Sequence, residues 1–335
     1  MIRIFANASY DFIRVRRWAF LLALAFTLPG LVLLPIRGVP YSIEFTGGAE
    51  IQVRTLDAVP IARLRAALDG GGVAGAELRS FGSPHDFVIR ARLTSGDSVT
   101  AATTEIVGQT VAQALDTELG TGNYEIVRTE VVGPKVGREL QGKAFLAILF
   151  SFITTLAYLA VRFEWRFGLA AVAATANDVL ATIAFIRYLN LEVGLVVVAA
   201  LLTVLGYSLN DKIVVFDRVR ENLRKFRRQN FVELLNLSIN ETLPRTLLTG
   251  GTTIATALVL AFFAGDVIKP FALVMAFGII FGTVSSMYIA SPILLEIERR
   301  WPGRDARGVR ALAGPGSAAP ANPSVPGPGK PQPAR

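Results

Sequence analysis

Tyr207, Asn210, Asp211 and Lys212 stand inside an apolar run, residues 193–216, whose other members could fill a membrane span. A carboxylate there is costly, so it marks a proton or ion path, or the partner of a buried cation. Asp211 lies 18 residues past Val193, about 27 Å along a helix, which puts it near one end of the span. Tyr207 is one turn earlier on the same face and Asn210 is adjacent, so polar groups can hold water near the carboxylate. Lys212 is turned about 100° away around the helix. Arg245 follows Pro244 at the start of a later apolar run. Proline suits a first helical turn, which places Arg245 at its helix start and at a depth where it can pair with Asp211. The proton affinity of such a pair responds to small changes in separation and wetting. Asp178, beside Asn177 in another run, is either a second proton-handling group or a structural hydrogen-bonding residue.

These residues need helices to hold them, and the composition supplies them. The 335 residues are 52% hydrophobic and 18% charged, too apolar for an ordinary soluble domain. Residues 18–36 form an apolar run of 19 after Arg14, Arg16 and Arg17, close to one bilayer crossing. It is longer than the apolar core of a usual signal peptide, and no small-residue cleavage site precedes Arg37. Runs at 144–161, 167–186, 193–216, 246–265 and 271–295 follow. The division predicted is a cytoplasmic N-terminus at 1–17, helix 1 at 18–36, an outside domain at 37–142 and helices 2–6 within 143–295. A basic cytoplasmic loop at 217–245 and a cytoplasmic tail at 296–335 complete it.

Charge orients the spans. Segment 37–142 holds 10 Lys/Arg and 13 Asp/Glu, a net of −3, which leaves +11 of the total +8 to the rest of the chain. Basic residues cluster beside apolar spans on one side, so the excess reads as topology and contact with anionic lipid, not as a nucleic-acid surface. Both termini are then cytoplasmic. The tail, rich in Pro, Gly and Ala, cannot bury a core and is expected to be disordered.

Segment 37–142 alternates polar and apolar residues. Strands at 42–45 and 50–54 flank Gly47 and Gly48 as a hairpin, Asp57 caps a helix ending near residue 70, and further strands are expected at 76–81, 87–93 and 124–132. A helix spans 96–119. The order ββαββαβ predicts a ferredoxin-like α+β domain with one extra strand. The fold class is a polytopic membrane protein with six transmembrane helices and this domain between helices 1 and 2. Gly278 and Gly282, four apart, let helix backbones approach closely. Gly70, Gly72 and Gly75 match a dinucleotide-loop pattern, but the strand and helix around them come in the wrong order. His85, the single histidine, has no convergent partners for a metal and is expected in an exposed turn. No cofactor or metal is predicted.

The segments GYSLNDKIVVFDRVREN, FTGGAEI, VGPKVGREL and PRTLLTGGTT together resemble the SecD/SecF family of bacterial protein-export membrane proteins, over about residues 2–299. The resemblance implies half of an RND-type membrane architecture in the inner membrane, with the outside domain periplasmic. It implies a complex with SecD at the SecYEG translocon, near YajC and YidC, acting on unfolded polypeptide with the proton motive force. It also ties Asp211 and Arg245 to proton transport. Asn177 stands where some relatives have His, a departure at the Asp178 site. A small-molecule exporter half and a passive translocon scaffold are the rival readings.

Overall fold

The computed structural model describes residues 9–301 except 72, 74, 75, 82, 92–100, 163, 227, 228 and 266. Of the tail expected to be disordered at 296–335, residues 296–300 are helical; its part beyond Trp301, with Gly72 and Gly75, lies outside the described residues. Helix α1 (Arg16–Arg37) leads into one helical turn, α2 (Ile43–Thr46). The outside domain follows as β1 (Gly48–Thr55), α3 (Ile61–Gly70), β2 (Glu77–Phe81), β3 (Ser83–Ala91), α4 (Ala101–Leu119) and β4 (Tyr124–Val132). The order β2-β3-β1-β4, antiparallel throughout, is the ferredoxin-like arrangement without an added strand.

The missing strand is the one expected at 42–45. Ser42 to Phe45 close a helical turn instead, with the Gly47 N–H donating to Ile43 O at 2.8 Å. The two glycines therefore join a helical turn to a strand and are not a hairpin. Gly47 has φ +77 and Gly48 φ +143, angles that favour glycine. A Cβ on Gly47 would also lie 2.7 Å from Pro134 Cα, so its bare backbone seats α2 on the helix that starts there. Asp57 caps nothing: Pro60 occupies the N-cap of α3, and the Asp57 carbonyl accepts from Thr55 Oγ1 at 2.7 Å. His85 lies in strand β3, not in a turn.

Alternation explains the sheet's core. Ala49, Ile51, Val53 and Thr55 of β1 are buried, and Ile51 and Val53 register with Ile89 and Phe87 of β3. They pack under Leu64 and Leu68 of α3 and Val111 and Leu115 of α4, each large aliphatic contributing roughly 1.5–3 kcal/mol.

The other five apolar runs form α5 (Pro134–Arg162), α6 (Trp165–Tyr188), α7 (Leu195–Lys225), α8 (Phe231–Phe263) and a sixth span built from α9 (Lys269–Ser285), a π turn (Ser286–Ala290) and α10 (Ser291–Arg300). Six helices are thus long and apolar enough to cross a membrane. Most of the segment expected as a basic loop at 217–245 is helical, residues 217–225 ending α7 and 231–245 beginning α8, because charged side chains do not break a helix whose faces are paired. Arg218 Nε donates to Glu241 and Asn222 Nδ2 donates to Ser238, at 2.6 and 3.0 Å, zipping the end of α7 to the start of α8. Pro244 is accordingly inside α8, which is capped far upstream by the Asn230 side chain accepting from Val232 N at 3.0 Å. Within a helix of 33 residues one lost donor is tolerated, as in many membrane spans.

Candidate functional site

Helix α7 runs unbroken through its polar positions and sorts them onto different faces. Asp211 is 3% exposed and accepts a hydrogen bond from Thr283 Oγ1 at 3.2 Å. Thr283 sits in the last turn of α9, just before the π turn, a local underwinding that often accompanies function. The Ser286 hydroxyl donates back to Thr283 O at 2.8 Å. Tyr207, one turn before Asp211, is half-buried, and its hydroxyl has no partner among the described residues. A Cβ on Gly250 of α8 would lie 3.2 Å from Thr283 Oγ1 and 3.9 Å from the Tyr207 hydroxyl. That glycine brings the α8 backbone close to both hydroxyls.

Arg245 does not reach Asp211. It is exposed on α8, and no ion pair joins the two side chains among the described residues. Because α8 begins at Phe231, Arg245 is not at a helix start; the neighbouring Thr246 is turned inward and buried instead. Asn210 is exposed, on a different face of α7 from the buried Asp211.

Asp178 has the partner that Asp211 lacks. Lys212 and Asp178 are both fully buried, with Nζ 2.6 Å from Asp178 Oδ2. Lys212 Nζ also donates to Ser208 Oγ at 2.5 Å and Ser208 O at 3.2 Å, so three acceptors match its three protons. The Ser208 hydroxyl donates to Asp178. Ser208 was not singled out from the sequence, yet its i, i+4 spacing to Lys212 carried the signal, as did the rotation of Lys212 away from Asp211. A second buried pair, Arg166 with Glu298 at 3.0 Å, ties the start of α6 to α10. Gly278 and Gly282 face α7: a Cβ on either would meet Val204 or Ser208 at under 3 Å. Among the described residues no cluster of three His, Cys, Asp or Glu is placed for a metal.

A six-helix membrane bundle holding two carboxylates in buried ion pairs and a third, Asp211, outside any among the described residues, with a ferredoxin-like domain between helices 1 and 2, is the architecture of a membrane-embedded transport subunit. Residues 110–300 match the protein export membrane protein SecD/SecF, C-terminal family, and residues 32–55 match the SecD/SecF GG motif. The protein translocase subunit SecF of Gemmatimonas aurantiaca is 50% identical over 93% of this chain and 95% of that protein. The Escherichia coli O157:H7 subunit of the same name is 37% identical over 86% and 88%. The crystal structure of SecDF, a translocon-associated membrane protein from Thermus thermophilus, superposes with a TM-score of 0.76 at 32% identity. A super-membrane-facing form of SecDF gives 0.64 at 31%. The chain covers 39% of each SecDF chain, and those matches span 87% and 88% of its own length. The chain belongs to the SecD/SecF family, on the SecF side, and is a multi-pass subunit of the bacterial Sec protein-export machinery in the inner membrane.

Proposed function

We propose that this subunit couples proton passage at Asp211 to polypeptide export. The observation that carries the proposal is the asymmetry between two buried carboxylates. Asp178 is held in a fixed pair with Lys212, whereas among the described residues Asp211 is hydrogen-bonded by the Thr283 hydroxyl and has no ion pair. A carboxylate without a bonded cation changes charge at lower cost than one whose deprotonated form completes a pair. Asp211 is therefore the loading site, Asp178 the fixed counter-charge, and Tyr207 and Thr283 polar neighbours of the route. Arg245, exposed on α8, faces the second membrane half and supplies its positive field from there; Asn210 lies on that outer side of α7 as well.

The partner is SecD, the second half of the covalent SecDF chains that this structure resembles. With it the subunit acts at SecYEG, in the neighbourhood of YajC and YidC, on an unfolded polypeptide emerging outside. The net of −3 on 37–142 against +11 elsewhere supports a periplasmic domain, cytoplasmic termini and anionic lipid at the basic end. No catalytic chemistry is assigned to the chain.

Proton-dependent export from inverted or energised membranes tests the proposal. Asp211→Asn and Arg245→Met each abolish the proton-dependent part while the protein accumulates and co-purifies with its partner, and Asp211→Glu retains a fraction. Wild-type export from Asp211→Asn at normal expression would overturn it in favour of a passive scaffold.

A further inference from the structure

Between α6 and α7 the chain has only residues 189–194, yet this connection makes more links to the outside domain than its length requires. Glu192 accepts from Arg79 Nη1 of β2 and Arg90 Nη2 of β3, both at 2.5 Å. Arg90 is largely buried and also bonds Glu50 of β1 at 2.8 Å, so the Glu192 carboxylate is tied to three strands. The backbone adds a second link: Val193 N donates to Pro40 O at 2.7 Å and Val193 O accepts from Ser42 N at 3.1 Å. The third link lies at the helix end itself. Glu44 of α2 accepts from Leu195 N, the first residue of α7, at 2.5 Å. A carboxylate there satisfies an end N–H and complements the helix dipole. Gly194 makes room for it, since a Cβ at that position would lie 2.3 Å from Glu44 Oε2.

We infer that Glu44 and Glu192 are positioning residues that clamp the N-terminus of α7 to the sheet of the outside domain, so that displacement of α7 is delivered to the domain as a rigid movement. Asp211 is 16 residues along α7 from Leu195, about 24 Å down a continuous helix. The connection cannot absorb motion as slack, because its backbone is paired with residues 40–42 and its side chain is fixed to the strands. The Gly47 end of α2 is seated on α5, so Glu44 transmits against a supported element.

The inference rests on proton use at Asp211, and its test separates the two. Glu192→Gln removes the charge, and Gly194→Ala displaces the Glu44 carboxylate at a residue whose φ of −122 any side chain adopts. In membranes carrying the assembled export complex, each is expected to lower proton-dependent export about tenfold while proton flux per complex stays within about twofold, a weakened link being worth roughly 1.4 kcal/mol. A merely structural role would lower both together with the amount of protein. The chain has no cysteine, so an Arg79→Cys, Glu192→Cys pair can be bridged by a short bifunctional thiol reagent. Bridging is expected to restore export to that pair. The clamp is overturned if Glu192→Gln exports normally, if export and flux fall in parallel, or if the bridged pair stays inactive because the two faces must part. Failure of the proton proposal alone shows instead as wild-type export from Asp211→Asn, with bridging still reporting on the clamp.

Discussion

A lysine enclosed in a membrane bundle keeps its charge only when each of its protons is accepted, and Lys212 has an acceptor for each. Truncating one member strands the other, which costs about 3–5 kcal/mol, whereas replacing both with apolar residues removes two desolvation penalties together. Lys212→Met and Asp178→Leu should therefore each lower the thermal stability of the purified protein strongly, and the double variant should recover most of the loss. A double-mutant cycle on melting temperature checks this, and equal losses in all three would refute the fixed pair. Tyr124 makes a separate prediction in the outside domain. Partial burial and then its hydrogen bond to Asp116 push its hydroxyl from 10.0 up to about 12. The native state holds this proton more tightly than the unfolded chain does, so the stabilisation is complete below pH 10 and is lost as pH rises through about 12. Tyrosinate absorbance should show one late-titrating tyrosine that disappears in Tyr124→Phe.

At the scale of elements, α2 has an influence out of proportion to its four residues. Its C-terminal Gly47 combines positive φ with backbone contact at Pro134, so Gly47→Val meets both strain and overlap, together about 1–3 kcal/mol. The expected result is unseating of α2 from α5, read as new protease cleavage near residue 47 and impaired export with normal membrane insertion. An unchanged cleavage pattern with full export would contradict this role. The π turn after Thr283 works in the opposite sense. It shifts the register of the sixth span between the hydroxyl on Asp211 and α10, whose Glu298 pairs with Arg166.

For the whole molecule, orientation is the testable property. Single cysteines at Ser83 and Thr121 should react with an impermeant thiol reagent in intact cells, and one at Gln229 should not. Labelling of position 229 from outside would reverse the topology. Apolar length and composition made the six spans legible, because a bilayer demands them wherever the chain crosses. The ferredoxin-like order was legible from alternation, and Asp211 from the cost of a carboxylate in an apolar run. The sequence alone determined the membrane class, the six spans, the α+β domain between helices 1 and 2 and the prominence of Asp211, since each follows from local composition and period. Only the tertiary structure decided the partners. It joined Lys212 to Asp178, placed Thr283 on Asp211, turned Arg245 outward, made residues 43–46 a helical turn and fastened Glu44 and Glu192 to opposite sides of one junction. Those outcomes depend on which helix faces meet across the bundle, and spacing within a single segment carries no record of its neighbour.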